Sequence, residues 1–284
     1  MTYSVFELNP QKMRAEMETF VGRRPLNQTL RLRSALAQKE SFRGWWYGAV
    51  EDGELAAIMA IENRKVQFHA ANGDAAEAVA KTLLNNQRHT RSMEAHRHEI
   101  TGDERSMARF WPTFRDIGRK IVADQAWFLM GAKTPLDNIS KRMKLRFATP
   151  HNQALVEDFV AEMIVERYGF DPRRSNREAH KINVAGMIKA GRQLLGYEKE
   201  KPVMIAELAP VNEDLVELRN IWVPVALRSR KRLIGGAFAQ ATQLETCAGK
   251  ELLIMATNTS MHEATKRAGL EQRAAFRHVA MVGR

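Results

Sequence analysis

The chain has 284 residues, 44% hydrophobic and 27% charged, with a formal charge of +11 and one cysteine, Cys247. That length suits one large or two modest domains, and a lone cysteine excludes an intramolecular disulfide or a cysteine-rich metal site. No apolar run approaches the roughly 20 residues that a membrane-spanning helix needs, and the basic balance points to acidic partners such as nucleic acid, a membrane surface or a nucleotide-like ligand.

The N-terminal segment MTYSVFELNPQKMRAEMETF lacks the basic stretch and apolar core of a secretory signal, so a cytoplasmic protein is expected. Next, RPLNQTLRLRSALAQK places Leu26, Leu30, Leu32 and Leu36 at helical spacing. GWWYGAVEDGELAAIMAIE predicts a hairpin turning at Glu51, Asp52 and Gly53, since Asp-Gly is a strong turn signal. NGDAAEAVAKTLLNNQR predicts an amphipathic helix with Asp74 at its N-cap. HRHEITGD predicts a strand, ERSMARFWPTFRDIGRK a helix and QAWFLMGA a buried strand. The polar stretch KTPLDNISKRMK then leads into a second half.

That half opens with the strand LRFATPHN and two helices, QALVEDFVAEMIVERYG and NREAHKINVAGMIKAG. Three strands follow, RQLLGYE, VMIAELAPV and LVELRNIWVPV, turning at 199–202 and 212–214. After the basic turn RSRKR comes the helix GGAFAQATQLETCA, ended by Gly249. The strand ELLIMATN, the helix TSMHEATKRAG closed by Gly269 and the strand QRAAFRHVAMVG complete the chain.

The order strand, two helices, three antiparallel strands, helix, strand, helix, strand resembles the GNAT acetyltransferase superfamily. The likeness covers 145–284 best, through MIVERYGFDP, MIKAGRQLLGYE, IWVPVALRSRKRLIGG and NTSMHEATKRAGL in the family's order. It is similar to the C-terminal half of bacterial tandem-GNAT proteins, and the weaker pattern of 1–135, with GWWYGAVEDGEL and ITGDERSMARFW, resembles their front domain. The expected fold is therefore α/β: two GNAT-like domains, 1–135 without cofactor and 145–284 acetyltransferase-like, each a mixed, largely antiparallel sheet flanked by helices.

The resemblance implies an acetyl-CoA-dependent N-acetyltransferase that transfers directly to an amine on a small molecule or protein, with no metal. In such enzymes the fourth strand and its neighbour splay apart, and pantetheine lies in the gap. The turn after the fourth strand wraps the pyrophosphate at a helix N-terminus, where N–H groups and the dipole favour anions. Carried onto this chain, the cofactor residues are Ile221, Trp222, Val223, Arg228, Ser229, Arg230, Lys231, Arg232, Leu233 and Asn258.

The chain departs from the family at two points. Lys231 and Leu233 stand where the turn's two glycines belong, so RSRKR reads either as a phosphate cradle or as a solvated basic turn. Thr265 stands where the family often has a tyrosine general acid. A threonine hydroxyl is too short and too weakly acidic for that work. Glu217, on the fourth strand, is the candidate general base; by alternation it shares a face with Arg219 and Ile221, and it also reads as a solvent-facing partner of Arg219. Glu207 lies one strand earlier. His96 and His98 lack further ligands at metal spacing, His262 reads as solvated, and GWWYG reads as core packing. An alternative to the enzyme is an inactive GNAT scaffold binding a protein or nucleic acid. The acceptor and the oligomeric state are open.

Overall fold

The computed structural model describes residues 3–37, 44–62, 64–89, 97–115, 120–137, 143–228 and 231–282. The chain forms two compact units, residues 1–129 with 273–284, and residues 130–272. Both are mixed, mostly antiparallel sheets flanked by helices. The last strand, expected in a domain spanning 145–284, pairs with the first unit. Of the linker expected near 136–144, residues 138–142 lie outside the described residues.

The first unit contains β1 (Ser4–Leu8), α1 (Arg14–Gly22), α2 (Leu26–Ala37), β2 (Trp45–Glu51), β3 (Glu54–Glu62), β4 (Lys65–Ala70), α3 (Gly73–Asn85), β5 (His98–Asp103) and α4 (Glu104–Arg115). Strand β6 (Lys120–Ala132) begins in this unit, and β12 (Glu271–Val282) ends in it. The strand order is β1-β2-β3-β4-β5-β12-β6. Asp52 and Gly53 both take positive φ, 51° and 83°, as the two-residue turn that matches strand twist requires. Trp46 packs with α1 and α2 on one sheet face, and Tyr47 with α3 and α4 on the other. β1, α1 and β4 went unpredicted because their apolar residues are few or interrupted by charge. The N-cap of α3 is Asn72, whose Oδ1 accepts from the Ala75 N–H, and Asp74 sits in the first turn instead.

The second unit contains β7 (Met143–Phe147), α5 (Gln153–Tyr168), the short α6 (Pro172–Ser175), α7 (Arg177–Lys189), β8 (Gln193–Glu198), β9 (Lys201–Pro210), β10 (Leu215–Trp222), α8 (Lys231–Ala241), β11 (Glu251–Ala256) and α9 (Thr259–Ala268). Its strands run in the order β11-β10-β9-β8-β7. Ile205, Leu195 and Trp222 turn one face towards Val156, Val160, Val184 and Ile188 of α5 and α7. α8 starts at Lys231, one turn earlier than the Gly235–Gly236 start expected, and ends at Ala241. Gly249, at φ 72°, therefore follows a separate single-turn helix at Glu245–Cys247. Gly269 does close α9 in the left-handed conformation, at φ 97°. Among the described residues no helix is long and apolar enough to cross a membrane.

Candidate functional site

Strand β10 pairs in parallel with β11 from Leu215↔Glu251 to Leu218↔Ile254. Beyond that point β10 runs on to Trp222 and β11 to Ala256. The departure begins at a bulge. On the β9 side Arg219 faces Glu207 and Trp222 faces Ile205, so three steps on β10 match two on β9. Asn220, within the bulge, adopts φ 50°. An extra residue bends a strand and adds twist, and this one sits just past the point where the β10–β11 ladder ends.

A cleft of about 590 Å³ lies there. Ile221, Trp222, Val223 and Arg228 line one side and Thr257 to Met261, Glu263, Ala264 and Arg267 another, while Ile234 comes from α8 and Glu166 and Arg167 from α5. Five residues singled out from sequence thus converge: Ile221, Trp222, Val223, Arg228 and Asn258. Lys231, Arg232 and Leu233 supply the first turn of α8, whose leading N–H groups lack partners within the helix. Ser229 and Arg230 lie outside the described residues. Asn258 caps α9, its Oδ1 accepting from the Met261 N–H at 2.9 Å.

Arg228 is already engaged. Its two terminal nitrogens donate to the Glu166 carboxylate, and its Nε–H donates to the Val223 carbonyl at 2.9 Å. Trp222 Nε1–H also donates to Glu166, at 2.8 Å. The Arg228 hydrogen bonds chiefly, outweighing partial burial, hold the Glu166 carboxyl below its ordinary pKa. Nothing in the sequence near Glu166 signals this role, because its partner lies 62 positions away.

The candidate catalytic groups fall elsewhere. Glu217 is fully buried on β10 and is not among the cleft-lining residues. The expected solvent-facing pair of Glu217 and Arg219 is corrected: Arg219 forms a two-pronged pair with Glu207, at 2.8 and 3.0 Å. Thr265 is fully buried, and its hydroxyl donates back to the His262 carbonyl at 2.7 Å. His262 is buried too, not solvated. His96 lies outside the described residues, and His98 is buried on β5. Among the described residues, no three His, Cys, Asp or Glu side chains gather as a metal site.

The first unit has a matching parallel pair, Lys65–Phe68 of β4 with Glu99–Gly102 of β5. Past it, side chains bridge the strands. His69 Nδ1 lies 2.8 Å from Asp103 Oδ2, both residues buried. The Ala70 N–H donates to Ser106 Oγ at 3.1 Å, and Ser106 N–H donates to Asp103 Oδ1.

The same fold occurs in solved acetyltransferase structures. A GCN5-related N-acetyltransferase from Sphaerobacter thermophilus superposes with a TM-score of 0.64 at 16% identity, over 99% of this chain and 97% of that one. A GNAT-family acetyltransferase from Colwellia psychrerythraea gives 0.59 at 10% identity, over 99% and 100%. A tandem GNAT protein from the clavulanic acid biosynthesis pathway gives 0.58 at 10% identity, over 100% and 99%. No protein family's sequence pattern matches the chain, and no curated protein matches it. The fold is that of the GNAT acetyltransferases.

Proposed function

We propose that the second unit binds acetyl-CoA in the cleft between β10 and β11 and transfers its acyl group directly to an amine. The observation that carries this reading is the splay. Pairing stops at Leu218 and Ile254, and the exposed end of β10 lines a cleft beside the first turn of α8. The Ile221–Val223 backbone would meet the pantetheine arm, a chain of amides suited to strand-like pairing. The N–H groups of α8's first turn, with Arg228 and Lys231, would hold the pyrophosphate. The cofactor would supply an activated thioester, and the chain's part is to bind and orient it. Asn258 would shape the opposite wall as the α9 cap. The first unit takes no cofactor in this reading.

Titration calorimetry with acetyl-CoA tests the first step. The double charge reversal Arg228→Glu, Lys231→Glu should abolish the binding heat. Unchanged affinity would put the ligand elsewhere. Turnover is then followed as free thiol release with small amines and protein lysines as acceptors.

A second reading, a scaffold without turnover, has its own support. Thr265 is buried and bonded to its own helix, and Glu166 occupies Arg228. A protein that binds neither acetyl-CoA nor CoA, but does bind nucleic acid or a protein partner, would fit it.

A further inference from the structure

The bulge beside the cleft is held by a buried carboxylate outside it. We propose that Glu207 is a positioning residue, which fixes the β10 bulge and so the width of the gap between β10 and β11. The affinity part of this proposal rests on the acetyl-CoA reading above.

Glu207 is 3% exposed and sits on β9 opposite Arg219, where the register shifts. Its Oε1 accepts from Arg219 Nη2 at 2.8 Å and its Oε2 from Arg219 Nε at 3.0 Å. The same Oε2 accepts from Asn220 Nδ2 at 2.9 Å, and Arg192 lies 3.8 Å from Oε1. Burial by itself would raise the carboxyl's pKa. The bonds and charge of Arg219, with Asn220 and Arg192, outweigh it and keep the pKa below the ordinary range. Three N–H groups from two consecutive bulge residues therefore converge on one carboxylate.

The bulge needs such a hold. Asn220 has φ 50°, in the left-handed region that asparagine tolerates better than most side chains but that still favours glycine. Without it β10 would fall into regular register with β9. A one-residue slip sends every following side chain to the opposite face. Trp222 would then leave Phe159, whose ring it meets edge-on at 5.5 Å, and Glu166. Ile221 and Val223 would leave the positions they take in the cleft wall. Arg167 supports the bulge from α5, reaching the Asn220 Oδ1 and the Ile221 carbonyl at 3.4 Å each. Those two bonds are solvent-exposed, so the buried contact to Glu207 dominates. A neutral glutamine in place of Glu207 has one acceptor oxygen instead of two, and its amide would face the donors of Arg219.

The test compares Glu207→Gln, Asn220→Ala and the double variant Glu207→Gln, Asn220→Gly in the full chain. Glycine adopts positive φ without steric cost, so the bulge survives the loss of its clamp in the double variant. Two quantities are read: acetyl-CoA affinity by calorimetry, and amide hydrogen exchange of 218–223 relative to 203–205 of β9, which needs no ligand. Glu207→Gln should weaken binding at least tenfold, about 1.4 kcal/mol, and speed relative exchange at least tenfold. The double variant should recover most of both. Asn220→Ala, which leaves the Glu207–Arg219 pair intact, should show a smaller change of the same sign and covers the case in which Glu207→Gln does not fold. Unchanged exchange in both single variants overturns the proposal. So does a double variant no better than Glu207→Gln, which would leave Glu207 a general stabiliser. A wild-type protein that ignores acetyl-CoA refutes the cofactor reading instead, and exchange still decides the role of Glu207.

Discussion

Replacing Glu166 by glutamine should tighten acetyl-CoA binding. In the structure the Glu166 carboxylate takes both terminal nitrogens of Arg228, one of the cations proposed to hold the pyrophosphate. A phosphate must displace it. The two side chains are 40% and 39% exposed, so the pair has the strength of a surface ion pair, about 0–1 kcal/mol. Glu166→Gln removes that competition and one negative charge from the cleft wall. At about 1.4 kcal/mol per decade, the gain is up to about fivefold in Kd. The Trp222 Nε1–H can still donate to the glutamine carbonyl, so the wall is kept. Thermal stability should fall by no more than the pair's own worth. The assay is calorimetric titration of wild type and variant at low salt and again near 0.5 M. The difference between them should shrink at high salt, because exposed charges are screened within a few ångströms there. An affinity that falls, or stays the same at low salt, refutes the claim that Arg228 lies in the ligand's path.

Three further outcomes follow from the geometry. Thr265→Ala should leave any turnover within about twofold, since the hydroxyl is spent on the His262 carbonyl, and should cost roughly 0.5–1.5 kcal/mol in denaturant unfolding for the lost bond; a collapse of turnover with the fold intact would give the hydroxyl a catalytic role. Calorimetry should return one acetyl-CoA site per chain, and a stoichiometry of two would mean that the bridged strands of the first unit open. Glu207, Glu166 and Asp103 all have folded-state pKa values below their ordinary ones. Each therefore contributes stability that is complete above the unfolded value, about 4, and is lost as pH falls through the lower folded value. Unfolding midpoints should hold from pH 8 to 5 and drop below 4, with a shallower acid drop in Glu207→Gln; an equal drop there would exclude Glu207 as a source.

The layout of the second unit was legible because its signals are local. β8, β9 and β10 lie between marked turns, and β9 carries the apolar run Val203–Ala206. Asn258 and Gly269 cap α9 in ways that residue type announces. The positions Ile221 to Val223 and Arg228 came from the resemblance, and the structure brings them to one cleft. What failed to show depends on distant partners. Glu166 meets Arg228 across 62 positions, and Glu207 meets Arg219 across 12. Alternation along β10 put Glu217, Arg219 and Ile221 on one face, a rule that holds only while the strand is regular. The bulge at Asn220 ends that regularity. No pattern of apolar residues announces a bulge whose stabilising carboxylate sits on another strand. The first unit was harder to read because β1 and β4 are short and half polar.

If the acetyl-CoA reading holds, the two parallel pairs offer a ligand unequal openings. In each unit the parallel ladder runs four residues and then stops, at Phe68↔Gly102 in one and Leu218↔Ile254 in the other. Parting strands leave backbone groups without ladder partners, and a buried one left so costs about 1–3 kcal/mol. The first unit satisfies them from within. Buried Ser106 accepts from the Ala70 N–H, and buried His69 and Asp103 bond across the strands. A ligand would have to break those contacts and leave their donors and acceptors unmet. The second unit answers the same need with long side chains at the surface. Arg167 covers the Ile221 carbonyl at 3.4 Å and Arg228 the Val223 carbonyl at 2.9 Å. Both guanidinium groups are exposed and can release these carbonyls at little cost, Arg167 to water and Arg228, in the acetyl-CoA reading, to the pyrophosphate. The backbone of β10 is thus protected by groups that a strand-like amide chain can displace, and that of β4 by groups it cannot. The asymmetry lies in burial, and in the acetyl-CoA reading proposed above it favours the second unit as the place of the pantetheine arm.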